Sequence, residues 1–81
     1  MGKAGQALKQ TLETYSISQN HLAVTMGIAR SSVNQWFHEN RDPSAEAVRE
    51  IIAALQTINP IAAQTFVNLY LEGLFPPDQA K

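Results

Sequence analysis

Apolar residues recur at three- and four-residue spacing along most of the chain, which is the pattern of amphipathic helices. Ala4, Leu8, Leu12 and Tyr15 form the first such series and predict a helix over Lys3–Thr14. No stretch shows the sustained apolar–polar alternation that is typical of a half-buried strand. The pattern therefore predicts an all-α protein.

A second and a third helix should follow after a short break. Ser18 is a favourable N-cap for a helix over Gln19–Met26, and Gly27 tolerates the left-handed conformation that ends a helix. The third helix fits Arg30–His38, but its N-cap is Ala29, whose side chain cannot accept a backbone hydrogen bond. Two short helices joined by a tight turn are thus expected near the middle of the chain.

Two longer helices should complete the fold. A polar loop follows the third helix, and we expect Asn40 to tolerate a left-handed conformation there. Ser44 is then suited to cap a fourth helix. Asn59 and Pro60 are suited to the N-cap and first position of a fifth helix, which should extend to about Leu74.

Composition limits the possible classes of protein. A chain of 81 residues, 44% of them hydrophobic, supports one domain, expected over residues 1–75 with a C-terminal tail over 76–81. The absence of cysteine excludes disulfides and thiolate metal sites. No apolar run approaches the roughly 18 residues of a membrane span. His21 and His38 lack partners at metal-ligand spacing, and no catalytic grouping appears, so neither a cofactor nor enzymatic activity is expected.

Charge gives weak support to nucleic-acid binding. The formal net charge is −1, with +1 over residues 1–49 and −2 over residues 50–81. Dedicated DNA-binding domains are often strongly basic, because phosphate neutralisation supplies much of their affinity. A single copy of this chain should therefore bind DNA weakly.

The spacing of four residues in the second and third helices is more informative than the charge. Two helices that cross at a steep angle need a small residue at the contact, a glycine in the turn and an apolar inner edge on the second helix. Ala23, Gly27, Val33 and Trp36 satisfy these requirements in order. We therefore interpret residues 19–38 as a helix-turn-helix.

The stretch Gln19–Trp36 resembles the phage-repressor, Cro-like (XRE-type) helix-turn-helix family, and the similarity extends over roughly Lys3–Leu74. The resemblance implies an all-α, five-helix, lambda-repressor-like DNA-binding domain with the helix-turn-helix at helices two and three. It also implies double-stranded DNA as the partner and a third helix that enters the major groove.

The resemblance also implies which side chains meet DNA. By position, the base contacts are Arg30, Ser31, Asn34, Ser32 and Gln35. Arg can donate two hydrogen bonds to guanine, and Asn can pair in a bidentate manner with adenine. The alternative is that these residues are ordinary polar surface.

Two further residues are expected at phosphates. Gln19 begins the second helix, where the helix N-terminus favours an anion. Arg41 lies in the loop after the third helix. It could instead pair with the neighbouring acids Glu39 or Asp42.

The fifth helix is apolar on more than one face. Beyond a core-facing stripe, the expected exposed patch comprises Val67, Tyr70, Leu71, Leu74 and Phe75. Exposed apolar patches commonly mark interfaces, so these residues predict a two-fold homodimer. The alternative is that this surface packs inside one monomer.

The favoured function is that of a bacterial or phage transcription regulator, cytoplasmic at the nucleoid or in a phage-infected cell, bound to a pseudo-palindromic operator. The alternative is a helix-turn-helix module for protein–protein contact, such as an antitoxin-like or adaptor subunit, that binds DNA weakly or only with a protein partner. The low charge and the apolar fifth helix keep this second interpretation open.

Overall fold

The computed structural model describes residues 3–74, with side chains for residues 4–72. This part of the chain is all-α and contains five helices. They are α1 (Lys3–Thr14), α2 (Gln19–Met26), α3 (Arg30–Phe37), α4 (Ala45–Ile58) and α5 (Pro60–Leu74). Helix α3 is one residue shorter than its sequence pattern predicts, because His38 is the C-cap of α3 and not its last helical residue.

The first three helices end in the same way. In each, a left-handed residue stands one or two positions after the last helical residue, and backbone N–H groups bond back to carbonyls of the last turn. The left-handed residues are Ser16, Gly27 and Glu39, with φ of 56°, 74° and 60°. The left-handed residue after α3 is therefore Glu39 and not Asn40, which was expected only to tolerate that conformation. Because α3 ends at Phe37, its left-handed position is 39.

Three of the predicted N-caps form hydrogen bonds, and the weak one does not. Ser18 Oγ accepts from the His21 backbone N–H at 2.9 Å, and Ser44 Oγ accepts from that of Ala47 at 3.1 Å. Asn59 Oδ1 accepts from the N–H of Ile61 at 3.1 Å at the start of α5. Ala29 has the extended backbone of an N-cap but no side-chain bond.

One apolar core holds the helices together. Helix α1 packs against α5 and α3, α4 packs against α5 and α2, and α2 packs against α3. The largest fully buried apolar side chains are Phe66, Leu8, Leu12, Leu22, Ile51, Leu55 and Val33. Thr11 is the buried polar residue among those described, and its hydroxyl donates to the Ala7 carbonyl at 2.8 Å. The core therefore fixes α2 and α3 against α1 and α4.

Candidate nucleic-acid interface

The packing of α2 on α3 has the features that the spacing predicted. Ala23 is 2% exposed where the two helices meet, and Val33 is fully buried. Gly27 ends α2 with φ 74°, and the Ile28 N–H bonds back to the Ala23 carbonyl at 3.0 Å. Trp36 completes the inner edge of α3 and is 8% exposed. These contacts give a helix-turn-helix with α3 as its second helix.

The outward face of α3 is polar. Arg30, Ser31, Asn34 and Gln35 are all exposed, whereas Ser32 is half-buried at the flank. A helix turns 100° per residue, so Ser31, Asn34 and Gln35 lie on the side opposite Val33 and Trp36. Arg30, three residues before Val33, lies at the edge of that side. The structure thus brings together four of the five residues predicted at the bases and places Ser32 at their edge.

The loop after α3 forms one wall of an open cleft beside this face. The cleft has a volume of about 340 Å³ and is lined by Ser32, Gln35, Trp36, Arg41, Asp42, Ser44 and Ala47. Arg41 is exposed, and its backbone N–H bonds to the Gln35 carbonyl at 3.3 Å. This bond ties the arginine to the last turn of α3.

The two acids beside Arg41 have other partners. Asp42 Oδ1 accepts from the backbone N–H of Gly5 at 3.2 Å, and Glu39 Oε1 accepts from Gln6 Nε2 at 3.3 Å. Both bonds reach across to α1. Among the described residues, the Arg41 guanidinium forms no salt bridge with either acid.

Comparison with known families agrees with this geometry. The model of the helix-turn-helix family of XRE type matches residues 8–60, which is more than half of the chain. This protein belongs to that family. No curated protein and no solved structure shows a significant match to the chain.

Membership fixes the fold and the broad class of function. The family has the lambda-repressor-like fold, which the five helices confirm. It is a DNA-binding family and typically non-enzymatic, and membership indicates a DNA-binding regulator. Membership therefore supports DNA as the partner of this protein.

The remaining predicted DNA residues have distinct settings. Gln19 is half-buried at the first position of α2, next to the exposed Asn20. His38, which is not among the predicted DNA contacts, is the C-cap of α3. It is also exposed and stands four residues after Asn34, so it extends the outward face by one turn. The sequence alone could have indicated this position, because His38 follows the predicted base contact Asn34 at i+4 spacing.

The α5 residues predicted at a dimer interface differ in exposure. Tyr70 is half-buried and stacks on Phe66, with ring centroids 6.3 Å apart, and Val67 is also half-buried. Leu71 is 46% exposed. The Leu74 side chain and Phe75 lie outside the described residues.

Within residues 3–74, no cluster of three or more His, Cys, Asp or Glu residues is placed to hold a metal ion. None of the described helices combines the length and apolar character that crossing a membrane requires.

Proposed function

We propose that this protein is a sequence-specific, double-stranded DNA-binding transcription regulator that occupies a pseudo-palindromic operator as a homodimer. The setting would be the cytoplasm, at a bacterial nucleoid or in a phage-infected cell. The observation that carries the proposal is the exposed polar face of α3 on a helix-turn-helix scaffold.

The residues of this face have chemistry suited to base reading. Arg30 stands at the first position of α3, the end that enters the groove in helix-turn-helix complexes. Its guanidinium can donate two bonds to guanine, and Asn34 can pair with adenine one turn later. Ser31 flanks them with a hydroxyl that can donate and accept, and Gln35 with an amide that can also pair with adenine. Each good bidentate pair contributes about 1–3 kcal/mol of discrimination.

Gln19 and Arg41 would fix the orientation of the protein on the duplex by contacting phosphates. The first backbone N–H groups of α2 have no partner within that helix and favour an anion beside Gln19. Arg41 adds a positive charge in the cleft next to α3. Such contacts position the protein and carry little sequence information.

A homodimer would compensate for the weak charge of one copy. Two linked recognition helices combine two weak contacts into one stronger one. The partner surface would be the C-terminal part of α5, where Leu71 is exposed. Helix α5 packs on α1 and α4, so a second copy there leaves α3 open. The half-sites would then lie about 34 Å apart.

The decisive experiment is selection of bound sites from a random duplex pool, followed by binding of Arg30→Ala to the selected site. We expect a cost of about 1–3 kcal/mol and relaxed preference at one base pair. The matched control is Arg49→Ala, because Arg49 is an exposed arginine of α4 that lines a different cleft with Glu46 and Glu50. A loss that is equal on all sequences would make Arg30 a phosphate contact and contradict the base assignment.

Sedimentation tests the dimer. Leu71→Glu should shift the protein toward monomer, since a charge would be buried at the interface. Val24→Glu is the control, because Val24 is 69% exposed on α2. A wild-type monomer at high micromolar concentration, or no effect of Leu71→Glu, would remove α5 from the proposal.

The second candidate function is a protein–protein module that binds DNA weakly or only with a partner. The net charge of −1 favours it. A titration of random duplex at two salt concentrations separates the two functions. A DNA binder loses affinity with a log–log slope of about −0.9 per neutralised phosphate, whereas an adaptor shows no binding.

A further inference from the structure

The carboxylate of Asp42 caps a helix that is remote in the sequence. Its Oδ1 accepts from the backbone N–H of Gly5, 37 residues away, at 3.2 Å. Gly5 lies in the first turn of α1, whose N–H groups have no acceptor within the helix. Asp42 therefore acts as an N-cap for α1 supplied by the loop after α3.

A second, independent contact joins the same places. A Cβ on Gly5 would lie 2.8 Å from the Trp36 carbonyl oxygen, a distance that real Cβ atoms essentially never reach. Glycine is thus required for α1 to approach the end of α3 this closely. Gly5 contacts both α3 and Asp42, so the loop and the helix are held against one point of α1.

These contacts bracket Arg41. On its N-terminal side, the backbone N–H groups of Asn40 and Arg41 both bond to the Gln35 carbonyl, at 2.9 and 3.3 Å. On its C-terminal side, the next residue is the bonded Asp42. The backbone at Arg41 is therefore held from both sides, beside the outward face of α3.

We propose that Asp42 is a positioning residue for DNA binding, which holds Arg41 where its guanidinium meets a phosphate. This inference rests on the proposed function. Asp42 itself touches no DNA in this arrangement and acts through its bond to the Gly5 N–H.

Whether removal of Asp42 weakens or strengthens DNA binding distinguishes a positioning role from that of an ordinary surface acid. A carboxylate near DNA repels phosphates, so removal of an ordinary surface acid strengthens binding. A positioning acid has the opposite effect, because the loss of Arg41 alignment outweighs the relief of repulsion. The two variants Asp42→Ala and Asp42→Asn distinguish the effect of the charge from that of the hydrogen bond. Asn keeps the acceptor oxygen and loses the charge, whereas Ala loses both.

The experiment measures duplex binding across a salt series for both variants, well below their melting temperatures. We expect Asp42→Ala to bind roughly tenfold more weakly at low salt, as for a lost hydrogen bond to a charged group. Its log–log salt slope should shrink by about 0.9, equivalent to one phosphate. Asp42→Asn should keep the wild-type slope and bind at least as tightly. Glu46→Gln is the control, because Glu46 is an exposed acid of the first turn of α4.

Two further measurements show whether Asp42 acts through Arg41. In the Arg41→Ala background, Asp42→Ala should cause no additional weakening, since there is no guanidinium left to position. Amide hydrogen exchange at Gly5 should accelerate in Asp42→Ala and remain slow in Asp42→Asn.

The outcomes are distinguishable. If wild type binds DNA and both Asp42 variants bind more tightly, Asp42 is only a repulsive surface acid and the inference is wrong. Additive losses from Arg41→Ala and Asp42→Ala would also overturn it. If the wild-type protein binds no duplex at all, the proposed function fails, and the positioning role fails with it.

Discussion

The two ends of α3 are held in different ways. At its start, Ala29 offers no side-chain cap, and the first two residues, Arg30 and Ser31, are exposed. At its end, a left-handed Glu39 closes the last turn, and α1 packs so closely that Gly5 must lack a Cβ. The end proposed to read bases is therefore anchored mainly through the inner face of the helix, whereas the far end is fixed by contacts of its own.

Side chains reinforce this contrast. Lys9 Nζ lies 5.7 Å from the centre of the Phe37 ring, and the His38 ring meets Phe37 edge-on at 5.3 Å. A cation–π contact contributes about 0.5–1 kcal/mol at an exposed site. The contacts that stabilise α3 thus lie at the end of this eight-residue helix opposite the one proposed to read bases.

The largest expected effect comes from breaking the anchored end with Gly5→Ala. The added methyl would meet the Trp36 carbonyl, a backbone atom, so α1 and α3 must move apart. Overpacking typically costs about 1–3 kcal/mol, opposed by up to about 1 kcal/mol from the better helix propensity of alanine. We expect a net loss of about 1–2 kcal/mol in the free energy of unfolding, measured by denaturant titration.

Gly27→Ala serves as the comparison for Gly5→Ala. A Cβ at Gly27 meets nothing within 4 Å, so that variant reports the left-handed backbone alone. If Gly5→Ala is as stable as wild type or more stable, α1 and α3 can move apart without a loss in the free energy of unfolding. The two ends of α3 would then differ less than the contacts indicate.

The opposite end is open to improvement by Ala29→Ser. Ala29 already has φ −70° and ψ 140°, the extended backbone of the N-caps Ser18 and Ser44. The Ser32 N–H now donates to the Ala29 carbonyl at 3.0 Å. A serine at 29 should offer it a second acceptor, since the hydroxyls of Ser18 and Ser44 accept from the N–H at the third helical position. We expect a gain of about 1 kcal/mol, visible as a rise in melting temperature of roughly 4–8 °C.

Ser18→Ala is the matched control, since it removes an existing cap and should lower stability by a similar amount. Binding of the Ala29→Ser variant to its selected site should be retained, because serine adds no charge. A cap that brings no stability would indicate that the start of α3 is already fixed by its packing.

The sequence predicts much of this fold because its signals are local. Ser18, Gly27 and Ser44 mark helix ends through bonds to residues three to five positions away, and the structure confirms each. The polar outward face of α3 likewise follows from 100° periodicity. Whether Arg30 contacts a base stays a prediction.

Other features could not be predicted, since they depend on tertiary packing. The bond from Gly5 to Asp42 joins residues 37 apart, and neither carries a local pattern that points to the other. Tyr70 was assigned to an exposed patch, but its ring stacks on Phe66 and packs against the core. Helical periodicity describes a face, but not how far neighbouring helices cover it.

The smallest expected effect comes from Glu39→Gly, a substitution at the anchored end of α3. Glu39 adopts φ 60°, a conformation that costs a non-glycine residue about 1–2 kcal/mol. Glycine removes this cost but loses more backbone entropy on folding, about 0.5–1 kcal/mol. We expect a net gain of about 0.5 kcal/mol in the free energy of unfolding, measured as a higher denaturant midpoint at an unchanged m-value.

Glu39→Gln separates the backbone effect from the side chain. It keeps the left-handed strain and an acceptor for Gln6, so its stability should match wild type. If Glu39→Gly is instead less stable than both, the exposed bond from Gln6 to Glu39 outweighs the strain. The anchored end of α3 would then depend on three contacts with α1: the close approach of Gly5 to the Trp36 carbonyl, and the bonds that Asp42 and Glu39 accept from Gly5 and Gln6. The exposed bond to Glu39 would in that case contribute more than exposed hydrogen bonds usually do.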